Sequence, residues 1–163
     1  MSYSVYFTDG SVRRDQNLMS YAWISVEEDV ILDADLEILP GNNSAEAEVK
    51  AILLALEHMY GIYTQDPEVI FVLVTDCEYC VRSIHFWLEG WIRQERKVKF
   101  YDDWVKIYNI LKEMPVYFFW VRGHDGTEYN EMVDEFCKDG LKAYIDEYIF
   151  NRRSDKRSDN TGN

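Results

Sequence analysis

Four acidic residues sit where a folding chain seldom places charge. Asp9 shares side-chain parity with Val5 and Phe7 beyond the strand-like YSVYFT run. Asp76 shares it with Ile70, Val72 and Val74 at the end of VIFVLVT. Glu48 recurs at helical spacing with Ile52, Ala55 and Met59, and Asp134 with Asn130, Cys137, Leu141 and Ile145. Two strand ends and two helix faces therefore turn carboxylates inward. Brought together, they repel one another unless a counter-charge is bound. An all-oxygen ligand set suits Mg²⁺ or Mn²⁺, not structural zinc. Two such ions a few ångströms apart can activate water at one and stabilise a leaving 3′-oxygen at the other.

The elements that must hold these residues alternate between strands and helices. Strands are expected at 3–8, 18–26 and roughly 29–37, the last edge-like and acidic. The Pro40-Gly41-Asn42-Asn43 turn leads to Ser44 as a helix cap and a helix over about 45–60. The apolar run 69–75 reads as a central strand covered on both sides. A short helix at 77–83, an aromatic segment through Trp91 and a helix near 101–113 come next. Pro115 precedes a strand at 116–121, Gly123-His124-Asp125-Gly126 breaks the chain, and a helix spans about 128–145. Together these predict one α/β domain over residues 1–150 and a polar, disordered tail over 151–163. No internal repeat, P-loop or dinucleotide fingerprint is present.

Charge narrows the function. The 163 residues carry a formal charge of −13, which excludes a histone-like or polybasic nucleic-acid binder. Residues 84–112 reverse that balance and also hold Trp87, Trp91 and Trp104, so a polyanion could be met there. The N-terminus lacks the pattern of a signal peptide, and no apolar run approaches the length of a membrane span. Cys77 and Cys80 have CxxC spacing without a second Cys/His pair, so reduced thiols in an intracellular protein are the expectation. A cytoplasmic or other intracellular nucleic-acid compartment follows, with no membrane partner.

Five segments in order carry a resemblance: Phe7-Thr8-Asp9-Gly10-Ser11; Glu48 with the helix ending Ala55-Leu56-Glu57; Thr75-Asp76-Cys77-Glu78-Tyr79; Trp120 to Gly126; and Asn130-Glu131 with Asp134-Glu135. The chain resembles type 1 ribonuclease H, the family that cuts RNA in RNA/DNA hybrids. The resemblance implies a five-stranded mixed sheet, its first three strands antiparallel, flanked by helices. It implies two Mg²⁺ ions per active site with substrate, replaceable by Mn²⁺, and products ending in 5′-phosphate and 3′-hydroxyl. Asp9 would bridge both ions, Glu48 and Asp76 would complete the leaving-group side, and Asp134 would hold the ion carrying the attacking water. His124 would assist proton handling or product release.

Substrate contacts implied by the same resemblance fall on Gly10, Ser11, Asn43, Ser44, Glu78, Trp87, Trp91 and Asn130. Arg93, Arg96, Lys97 and Lys99 suit phosphate contacts that position a duplex without reading its bases. The two tryptophans could instead pack their segment onto the sheet. Departures from the family pattern are the VRRDQN turn, Ser44 where Asn is common, Asn43 where Thr is frequent, and Glu78 where Gln is frequent. The protein is expected to act as a monomer. A structure-selective DNA nuclease of the same superfamily, or a hybrid-binding module with little turnover, are the rival readings.

Overall fold

The computed structural model describes residues 2–123 and 127–159. Strand β1 spans Tyr3–Arg13 and, after a 3₁₀ turn at Arg14–Gln16, pairs antiparallel with β2, Leu18–Glu27. Glu28 and Asp29, both with positive φ, form the two-residue turn into β3, Val30–Pro40. Helix α1 (Ser44–Tyr63) leads to β4 (Ile70–Thr75), which runs parallel to β1. Helix α2 (Glu78–Arg82) continues through a π-helical turn at Ser83–Trp87 into α3 (Leu88–Arg93). Helix α4 (Tyr101–Glu113), strand β5 (Val116–Trp120) and helix α5 (Glu128–Asp159) complete the chain. Sheet order is β3-β2-β1-β4-β5, with β5 parallel to β4, giving the expected mixed five-stranded sheet.

Helices α1 and α4 cover one face of the sheet. Tyr6, Trp23, Ile52, Leu56, Phe71, Leu73 and Trp104 form the larger core there, all essentially removed from water. Helix α5 covers the other face, where Phe7, Ala22, Ile24, Val74, Val133 and Cys137 pack. It lies across β1 and β2 and leaves β4 short of cover. Consequently Ile70 and Val72 are only half-buried, and Tyr117 and Phe119 on β5 are exposed, so β4 is not covered equally on both sides as its apolar run suggests.

Three further expectations change. Strand β1 does not stop at Asp9: its ladder with β2 runs on to Arg13, while its parallel pairing with β4 ends at Thr8–Thr75. Asn43, not Ser44, caps α1, its Oδ1 accepting the Glu46 amide at 3.1 Å. Residues 151–159 continue α5 and do not begin a tail. No Gly or Pro interrupts 141–159, and Ser154 Oγ donates to the Phe150 carbonyl at 3.1 Å. The side chains over 146–158 are exposed, so this extension runs on without a core to pack against. Among the described residues, no helix is long and apolar enough to cross a membrane.

Candidate active site

The site forms where the parallel β1–β4 ladder ends. Asp9 follows Thr8, the last β1 residue paired with β4, and Asp76 follows Thr75 at the end of β4. The Asp76 backbone is fixed from β5, whose Trp120 Nε1 donates to its carbonyl at 3.0 Å. Glu48 arrives from α1, in the opposite layer, and needs that helix to lie almost on the strand. Gly10 permits this. A Cβ there would stand 2.6 Å from the Ala47 carbonyl carbon and 2.8 Å from the Glu48 nitrogen, so only glycine allows the approach. Gly123 clears the opposite side, since a Cβ would meet Asp76 Oδ2 at 2.9 Å.

Asp9, Glu48 and Asp76 offer oxygen atoms all within 4.8 Å of one another. Asp9 is only 3% exposed. Burial, ahead of any other influence, pushes its carboxyl up to about 7. The charge of Asp76 and the hydrogen bond with Asp134 push the same way, while hydrogen bonds from Glu48 and the Gly10 amide oppose them. Burial and then the Asp9 charge drive Glu48 well above the ordinary carboxylate range. Glu48 Oε2 is buried and has no hydrogen-bond partner among the described residues. A buried carboxylate oxygen left without a donor, in a cluster of three oxygen-bearing side chains, fits a hard divalent cation. These three residues would hold it.

Asp134 lies beside this trio on α5, where Lys138 Nζ meets its Oδ2 at 2.9 Å. Cys137, on the same turn, donates its thiol to the Asp9 carbonyl at 3.2 Å and ties α5 to β1 behind the cluster. Sequence reasoning misses both neighbours. Lys138 is within its reach, being four residues from Asp134 on a helix. The Cys137 bond depends on the three-dimensional register of α5 on β1. His124 lies outside the described residues.

The expected substrate residues divide into groups. Ser11 is half-buried on β1 opposite Ser20. Asn43 Oδ1 is engaged as the α1 cap, and Ser44 opens the helix. Glu78 pairs with Arg82 at 2.8 Å, which offsets its charge. Trp87 is 44% exposed, whereas Trp91 is half-buried against Trp104, their ring centres 5.9 Å apart. Arg93 pairs with Glu89, Lys97 lies over the Tyr101 ring at 4.3 Å, and Arg96 and Lys99 are exposed. Asn130 is buried at the start of α5, its Oδ1 without a partner among the described residues.

A cluster of three carboxylates at the end of a mixed sheet of this order defines an α/β protein whose acidic group could hold a cation. The RNase H family model matches residues 1–142, and the chain belongs to the RNase H family. It is 25% identical over 140 residues to a ribonuclease H of Neorickettsia sennetsu, covering 82% of this chain and 89% of that protein. A ribonuclease H of a Sulfurovum species is 42% identical over 67 residues, covering 40% of this chain. That match spans about half the relative, 46% of its length. The crystal structure of LC9-RNase H1, a type 1 RNase H with the type 2 active-site motif, has the same fold. It superposes with a TM-score of 0.73 at 17% identity, covering 87% of this chain and 73% of that one.

Proposed function

We propose that the protein is an endonuclease that hydrolyses the RNA strand of RNA/DNA hybrids and leaves 5′-phosphate and 3′-hydroxyl ends. The carrying observation is the Asp9–Glu48–Asp76 cluster at the end of the β1–β4 ladder, in a chain of the RNase H family. Mg²⁺ ions bound there, or Mn²⁺ in their place, would supply charge neutralisation at the scissile phosphate and a more acidic water. Asp9, Glu48 and Asp76 would hold them, with Asp134 completing the set from α5. The chain's own groups do the positioning. Gly10 lets α1 bring Glu48 to the strand end, Gly123 leaves room beside Asp76, and Trp87 offers an exposed aromatic face. Arg96 and Lys99 add phosphate contacts that do not read sequence. His124 would assist proton handling or product release. The domain over 1–150 would act as a monomer inside the cell, and its free thiols are compatible with the reducing compartment.

The test is cleavage of matched substrates in Mg²⁺ and in Mn²⁺: hybrid, RNA duplex, DNA duplex and four-way junction. Hybrid cleavage confined to the RNA strand, abolished in a folded Asp9→Asn variant, is expected. Preference for the junction would replace this reading with a branched-DNA nuclease. Tight hybrid binding without turnover would replace it with a binding module.

A further inference from the structure

The CxxC pair has a geometry that its sequence alone does not show. Cys77 and Cys80 are both free thiols, and their Sγ atoms are 2.9 Å apart, at hydrogen-bond range. Cys77 is partly exposed, and Cys80 is fully buried behind it. The turn between them is already closed, because the Cys80 amide donates to the Cys77 carbonyl at 3.1 Å and Thr75 Oγ1 accepts the Cys77 amide at 3.1 Å. A disulfide needs an S–S length of about 2.05 Å, so the sulfurs must approach by only about 0.9 Å. The third thiol, Cys137, is buried on α5 and bonded to the Asp9 carbonyl.

We infer that Cys77 and Cys80 are a reversible dithiol/disulfide site, oxidised by small-molecule disulfides through exchange at Cys77. In the first step the Cys77 sulfur, having lost its proton, attacks one sulfur of the reagent. A mixed disulfide forms, the reagent's S–S bond breaks, and one thiolate leaves and takes up a proton. Cys80 then attacks Cys77 Sγ, the Cys77–reagent bond breaks, and the second thiol leaves with the proton that Cys80 gave up. Two protein thiols are oxidised and one disulfide is reduced to two thiols. Partial exposure makes Cys77 the entry point, and its buried neighbour makes the mixed disulfide short-lived. The bond closes one residue beyond Asp76, so the turn next to a cluster carboxylate would be braced covalently in the oxidised protein and by its hydrogen bonds alone in the reduced one. This site does not depend on the substrate proposed above.

The experiment treats the whole folded chain with oxidised glutathione, quenches with acid, alkylates the remaining thiols and measures intact mass. The expected product has lost two hydrogens, keeps one alkylatable thiol and returns to the starting mass with dithiothreitol. Glu78 lies between the two cysteines, so proteolysis after glutamate should leave their two peptides joined. Cys80→Ser should accumulate a glutathione adduct on Cys77, Cys77→Ser should remain unmodified under native conditions, and Cys137→Ser should behave as the wild type. Three alkylatable thiols after treatment, a persistent wild-type adduct on Cys77, or bonds involving Cys137 or a second chain would each overturn the inference. If Cys80→Ser does not fold, as read by circular dichroism, the wild-type and Cys137→Ser peptide maps still decide it.

Discussion

Asp9 and Glu48 occupy a space too dry for two negative charges, and the consequence is a definite dependence on pH. Asp9 titrates at about 7 in the fold against an ordinary value of 3.8. The folded state therefore prefers the protonated form more than the unfolded chain does. The stability linked to that proton is fully present below the ordinary carboxylate value and is lost as pH rises through about 7. Glu48 moves in the same direction. In EDTA the wild type should lose stability relative to Asp9→Asn between about pH 4 and pH 7, by an amount on the order of a few kcal/mol. If the cluster holds Mg²⁺ as proposed, saturating Mg²⁺ should close that gap in the wild type only. Thermal melts of both proteins across this range, with and without Mg²⁺, measure it; parallel profiles in EDTA would contradict it. Lys138 gives a second residue-level prediction. Its pairing with Asp134 sets an ammonium against one of the proposed ligands, yet the lysine is largely exposed, so the pair is worth only about 0.3–0.5 kcal/mol. Lys138→Gln should thus lower the Mg²⁺ concentration needed for half the melting shift by roughly twofold, and a higher requirement would show that Lys138 supports the site instead. All four carboxylates are legible in the sequence, because strand parity and helical period mark an inward charge without knowledge of the fold. The neighbours that tune them are not, since Cys137 reaches Asp9 only through the packing of α5 on β1.

At the level of elements, the site depends on how closely α1 can lie on β1. Gly10 faces α1, and the atoms a Cβ would meet belong largely to the Ala47 and Glu48 backbone, which cannot turn aside as a side chain can. Gly10→Ala must therefore lift the first turns of α1 and carry Glu48 away from Asp9. Overpacking of this kind costs about 1–3 kcal/mol. The variant should melt lower, and it should lose Mg²⁺ stabilisation beyond what the lower melting point explains. Calorimetry with and without Mg²⁺ separates the two effects, and an unchanged Mg²⁺ response would show that α1 accommodates the methyl without moving Glu48. The order of strands and helices is readable because periodicity changes cleanly from two to 3.6 along the chain. Boundaries set by pairing are not. Beyond Asp9 the chain turns polar, yet β1 extends to Arg13 because β2 supplies a ladder partner at every position to Leu18. Polar composition likewise marks 151–159 as a tail, where the lack of Gly and Pro lets α5 run on without a core to pack against. The choice of cap between Asn43 and Ser44, two good cap residues side by side, depends on which side chain reaches the Glu46 amide.

At the level of the whole molecule, an acidic protein has to meet an acidic duplex. Residues 1–83 hold 15 acidic and 4 basic side chains, so long-range attraction is poor and binding must rely on a local surface. The segment from Trp87 to Lys99 is the surface proposed for this by its charge, but its cations are unequal. Arg93 is committed to Glu89 at 2.7 Å and Lys97 to the Tyr101 ring, whereas Arg96 and Lys99 project into solvent. Trp91 is half-buried against Trp104, so of the two tryptophans Trp87 presents the more open face to a ligand. Converting Arg93, Arg96, Lys97 and Lys99 together to Gln should raise KM for hybrids of any sequence and leave kcat at saturating substrate unchanged, because phosphate contacts position without specifying. The slope of log affinity against log salt should flatten by roughly 0.9 for each phosphate that the variant no longer neutralises. Arg96→Gln with Lys99→Gln should reproduce most of that change, since Arg93 and Lys97 must first leave Glu89 and the Tyr101 ring before meeting phosphate. Steady-state kinetics at several salt concentrations read both quantities. A folded fourfold variant with unchanged KM and unchanged salt slope would place the duplex on another surface and leave this segment as a cover for the α1–α4 core.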